Sequence, residues 1–122
     1  MGLFDAFKKK KNTGKTDLDK MIAEAEAKKA KEDALFRQNE SARALDKEGK
    51  IKEAITIYEK SIADGFDGSQ PYDRLATIYH ERKMFDDEIR VINAFLNIAA
   101  KNNWDNVKVN KFKDRLEKAR NS

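Results

Sequence analysis

The residues of this chain that could carry out chemistry are few, and they do not converge. The 122 residues contain one histidine, His80, and no cysteine. A histidine can serve as a general base near neutral pH, but no paired Ser, Cys or metal-binding set accompanies this one. Asp86, Asp87 and Glu88 form an acidic run, and its place at the start of an apolar-periodic segment suits the positive end of a helix dipole. Gly65 and Gly68 lie in a polar loop with no strand before them and no Lys-Ser/Thr pair after them, so they do not form a phosphate cradle. No spacing suits zinc or a calcium loop. The expectation is a chain that is not an enzyme and needs no cofactor and no metal.

Charge is the next candidate for function. Net charge is +4, and it is uneven. Residues 1–33 hold nine Lys against seven Asp/Glu, residues 34–99 ten basic against twelve acidic, and residues 100–122 seven basic against three acidic. The ends are therefore basic and the middle slightly acidic, which argues against the body of the chain as a nucleic-acid platform. At the N-terminus Leu3, Phe4 and Phe7 would share one face of a short helix, followed by Lys8, Lys9, Lys10 and Lys11. A plain basic, disordered tail over residues 1–15 is the preferred reading; the alternative is weak attachment to an anionic surface, for which an apolar wedge with a basic cluster is the composition. Ala6 stands where a myristoylation signal has Ser or Thr. This opening resembles the start of many small bacterial proteins. No apolar run reaches the roughly 20 residues that cross a bilayer, and the apolar residues precede the lysines, the wrong order for a secretory signal. The expected location is cytoplasmic, with a peripheral association at the inner membrane surface as its extension.

Elements to position any site come from hydrophobic periodicity. One Pro and five Gly, with no period-two β-branched runs, predict an all-α chain of long helices. Thr16-Asp17-Leu18-Asp19 has the form of a capping box, and residues 16–34, rich in Ala, Glu and Lys, predict a charged helix leading into the domain. Leu35, Phe36, Ala42 and Leu45 mark the next helix, ended by Gly49. Ile51, Ala54, Ile55, Tyr58 and Ile62 mark a second. Ser69 or Gln70 would cap a third, with Pro71 in its first turn and Tyr72, Leu75, Ala76, Ile78 and Tyr79 on its buried side. A fourth runs from Phe85 to about Lys101. Over residues 103–122, Val109, Phe112, Leu116 and Ala119 form a narrow stripe among basic residues, as a helix that caps a repeat array requires.

One pattern occurs twice within this scaffold. Gly49 to Ile55 with Tyr58, and Lys83 to Ile89 with Ile92, are 34 residues apart. Tyr72, Leu75, Ala76 and Tyr79 match the first-helix pattern Trp-x2-Leu-Gly-x2-Tyr, and Ala54 with Tyr58 match the second-helix pattern Ala-x3-Phe. Gln38, Ser41, Ala42 and Leu45, and Glu88 with Ile92, are the poorer halves, and Phe66 stands where a late Pro is usual. With these residues the chain resembles a tetratricopeptide repeat protein over residues 35–102. The resemblance implies about two antiparallel helix pairs of an α–α superhelix, with the N-terminal and C-terminal helices, or a second copy of the protein, supplying the packing of a third repeat.

That resemblance also implies a function. Tetratricopeptide repeats bind peptides on the concave face formed by the first helix of each pair. Carried over position by position, the groove candidates are Phe36, Asn39, Arg43 and Lys47 in the first repeat and Asp73, Arg74, Thr77, His80 and Glu81 in the second. The subfamily that clamps chaperone C-termini uses a Lys/Asn set here; Asn39 and Arg43 do not reproduce it, and Arg74 replaces an Asn, so chaperone binding is not expected. Arg43, Lys47 and Arg74 could hold an acidic peptide or a C-terminal carboxylate by charge-assisted hydrogen bonds. The expectation is a protein-interaction module or adaptor whose partner is an unidentified protein or peptide, with acidic character; the alternative is nucleic-acid or anionic-membrane binding through the basic ends.

Overall fold

Why the chain makes helices is visible in where its apolar residues fall. In the computed structural model, which describes residues 16–122, five α-helices follow one another: α1 (Thr16–Lys47), α2 (Ile51–Ala63), α3 (Gln70–Glu81), α4 (Phe85–Lys101) and α5 (Asn106–Arg120). The N-terminal wedge and its lysines, Leu3 to Lys11, and the side chain of the cap residue Thr16 lie outside the described residues. The fold is all-α, its helices packed as sequential antiparallel pairs in the tetratricopeptide manner.

Compactness divides the chain after Ala34. Residues 16–34 are the first part of α1, helical through the intrinsic preference of Ala, Glu and Lys. Their apolar residues Leu18, Met21 and Ile22 are exposed.

From Leu35 onward burial takes over. Ala42, Ala54, Tyr58, Tyr72, Leu75, Ala76, Val91, Ile92 and Phe95 are sealed from solvent, and all of these but Val91 and Phe95 are positions that the repeat pattern singles out. Alanines at 42, 54 and 76 keep this core thin, since a small side chain permits close helix approach. Phe36, a groove candidate, is exposed; Leu35 and Leu45 are only partly covered. The aromatic centre is Phe95 of α4. It meets Tyr72 of α3 edge-on at 5.8 Å, Trp104 at 5.5 Å, and stacks on Phe112 of α5 at 3.8 Å. Phe112, Leu116 and Ala119 are buried, and α5 covers the open side of α4 as a terminal cap.

The repeat also shows in how helices stop. Gly49 at φ 81° and Lys83 at φ 60° occupy equivalent positions, 34 residues apart, in the left-handed region. Around each, paired reverse hydrogen bonds close the helix: Lys50 N–H to Leu45 O with Gly49 N–H to Asp46 O, and Met84 N–H to Tyr79 O with Lys83 N–H to His80 O. This is the Schellman arrangement, which favours glycine. At the other end of the repeat, Ser69 stands at the N-cap of α3, but its side chain makes no capping bond. Its backbone is already helical (φ −80°, ψ −19°), whereas a capping side chain needs an extended N-cap. Asp105 meets that requirement at φ −53°, ψ 131° and accepts from Val107 N–H at 3.1 Å.

Candidate peptide-binding face

The first helices of successive pairs are the C-terminal part of α1 and α3, and α5 follows in the same layer. Three sets of polar contacts link them. Nearest the start of α3, Asn39 Nδ2 donates to Gln70 Oε1 at 2.7 Å. Further along, Arg74 grips Asp46 with both arms of its guanidinium, Nε to Oδ2 at 2.6 Å and Nη2 to Oδ1 at 2.9 Å. On the opposite flank of α3, Arg115 donates to Asp73 Oδ1 at 2.6 Å and to Thr77 Oγ1 at 3.1 Å. Each contact spans residues distant in sequence, so each fixes one helix against the next.

The first two contacts belong to one network. Gln70 Nε2 donates to Tyr58 OH at 3.2 Å, and Tyr58 OH donates to Asp46 Oδ2 at 3.0 Å. Three helices thus meet at a single carboxylate. Hydrogen bonds from Arg74 hold the Asp46 carboxyl below its ordinary pKa, against the opposing effect of burial. The Asp46 hydrogen bond raises Arg74 in turn, while burial pushes Tyr58 up. Asn39 is buried, and its Oδ1 has no hydrogen-bond partner among the described residues.

The nine sequence candidates therefore sort by what they touch. Asn39 and Arg74 face inward between α1 and α3. Asp73 and Thr77 are held by Arg115. Arg43 lies on the surface of α1 and pairs with Glu40 one turn away at 2.9 Å. It does not join Arg74 around a common acceptor, because the donors of Arg74 are directed at Asp46. Phe36, Lys47 and Glu81 are exposed. His80 reaches toward α4, where its Nδ1 lies 3.1 Å from Glu88 Oε1 and its ring meets Phe85 edge-on at 5.9 Å. The Glu88 side chain is only 3% exposed and that of His80 is 56% exposed, so the histidine shields a buried carboxylate from water. Glu88 occupies the small-residue position of the second repeat, the counterpart of Ala54.

Sequence reasoning missed Asp46, Gln70 and Arg115. Their partners lie 28, 31 and 42 residues away, beyond any local spacing. Among the described residues no group of His, Cys, Asp or Glu could hold a metal ion, and no helix is long and apolar enough to cross a membrane.

Comparison with known proteins adds one finding. The fold is similar to that of the N-terminal domain of stress-induced protein-1 (STI-1) from C. elegans, with a TM-score of 0.65 and 21% sequence identity over 74% of this chain and 71% of that one. No family model and no curated protein matches the chain.

Proposed function

We propose that this chain is a non-catalytic protein-interaction module that holds a peptide segment against the face formed by α1, α3 and α5. The observation that carries this reading is the interhelical polar bonding itself. Asn39–Gln70, Asp46–Arg74 and Arg115–Asp73/Thr77 set the spacing of three helices on one side of the fold. A preset surface avoids part of the ordering cost that binding otherwise incurs. Around these contacts lie exposed side chains able to meet a ligand: Phe36, Arg43, Lys47, His80 and Glu81. Likeness of fold to a second protein supports the architecture, and the functional step rests on the face.

The test is enrichment of binders from a library of random peptides roughly twelve residues long, displayed on phage and panned against the full chain. The reading expects reproducible enrichment that is lost in the Arg43→Glu/Glu81→Lys variant, since both side chains are exposed. A control pair on the second helices, Lys52→Glu/Asp86→Lys, should bind like the parent. Failure to enrich any peptide, or equal loss in both variants, would remove the reading.

A further inference from the structure

Three carboxylates on this face already have a partner, and several cations of α5 do not. Asp46 is taken by Arg74, Asp73 by Arg115 and Glu40 by Arg43. On α5, Lys108 reaches only the Ser69 hydroxyl, at 3.4 Å. Lys111 and Lys118 are exposed and make no ion pair among the described residues. At about 100° per residue, Lys108, Lys111, Arg115 and Lys118 fall within an arc of about 80° on the helix. Arg115 touches α3 and Lys108 reaches its N-cap residue Ser69, which places the arc on the flank of α5 that borders α3. Lys113 and Arg120 fall on the other flank of the buried stripe.

We infer that this lysine stripe is a docking strip for an acidic peptide segment, laid along α5 beside α3. The inference rests on the peptide-binding reading above and names the chemistry of the partner. From Lys108 to Lys118 the strip runs about 15 Å at 1.5 Å per residue, the length of about five extended residues. It is one side chain wide and bordered by carboxylates: Asp73 is exposed despite its pairing, and Asp114 and Glu117 on α5 are exposed as well. A narrow cationic line between anionic margins fits a single extended chain with spaced carboxylates. A flat anionic bilayer or a nucleic-acid backbone would bring phosphates against those margins, where like charges repel. Arg115 is pinned by Asp73 and Thr77 and lies 5.1 Å above the Phe112 ring, so the middle of the strip is held in place.

Fluorescence anisotropy with labelled hexaglutamate tests this on the full chain, at low and high salt. Lys111→Glu/Lys118→Glu should weaken binding by about tenfold or more, from two lost attractions and two added repulsions. Lys113→Glu/Arg120→Glu makes the same change in net charge on the other flank and should change affinity by less than about threefold. All four side chains are exposed, and unchanged helical circular dichroism and melting would show that both variants fold. Equal weakening in both pairs would mean a diffuse field, and no weakening in either would mean that the N-terminal lysines hold the probe; each overturns the inference. Preference for single-stranded DNA or phosphatidylserine vesicles over hexaglutamate, lost in the Lys111/Lys118 variant, would assign the strip to phosphates and also overturn it. The peptide library separates the two levels: enriched peptides without acidic bias would sink the strip and leave the peptide-binding reading, whereas no enrichment would sink both.

Discussion

Asp46 offers a direct measure of how firmly the face is built. Its carboxylate accepts from Tyr58 OH and twice from Arg74, joining α1, α2 and α3. A charge-assisted hydrogen bond contributes about 1.5–3 kcal/mol and a neutral one about 1. The Arg74 side chain is 36% exposed and that of Asp46 12%, so water screens part of the ionic gain and rehydrates the arginine when its partner is removed. After that discount, Asp46→Ala should cost about 2 kcal/mol, which lowers melting by on the order of 10 °C in a domain of this size. The assay is urea unfolding followed by circular dichroism for wild type, Asp46→Ala, Arg74→Ala and the double variant. A coupling of about 1–2 kcal/mol is expected between the two sites. The coupling should also depend on pH. Because the folded carboxyl lies below the ordinary value of 3.8, its contribution is fully present above that value and is lost as pH falls through the depressed folded one. Coupling below about 0.3 kcal/mol at neutral pH, within the scatter of additive sites, would refute the claim that this contact sets the helix spacing.

Three further outcomes follow from the same geometry. Lys83→Gly should stabilise the fold by about 0.5–1 kcal/mol, because a lysine at φ 60° carries a left-handed strain that glycine lacks; chemical denaturation will show the gain, and a loss would contradict it. Ala54→Asp should destabilise by about 3 kcal/mol or more, by placing an unpaired carboxylate at a fully buried position; a melting temperature equal to wild type would undo the repeat assignment. Phe112→Ala should cost about 3–4 kcal/mol through loss of the stack on Phe95, and amide exchange should rise first in α5.

Much of this architecture could be read in advance, for reasons that are local. Tyr72, Leu75, Ala76 and Tyr79 fix the buried side of α3 by spacing alone, and Gly49 marks a helix end by its conformational freedom. Lys83 was legible only through the period, since its residue type disguises a glycine position. Ser69 carried the sequence sign of a cap, yet the backbone there is already helical and its hydroxyl accepts from Lys108 instead. The candidate site was harder to read. A family position says that Arg74 lies on the first-helix face, but its partner Asp46 arrives from another helix, and the pairing turns the guanidinium inward. Arg115 lay among seven basic residues of the last 23 with nothing local to single it out. Glu88 stood at a small-residue position, where only the fold reveals that His80 covers it.

A peptide held against α1, α3 and α5 would leave its mark on the backbone of those helices. Backbone amide chemical-shift mapping reads that mark, with a library-enriched peptide titrated into the isotopically labelled full chain. The largest changes should fall in residues 36–47, 73–81 and 108–118. Changes concentrated in α2 and α4, or confined to residues 1–15, would contradict that placement.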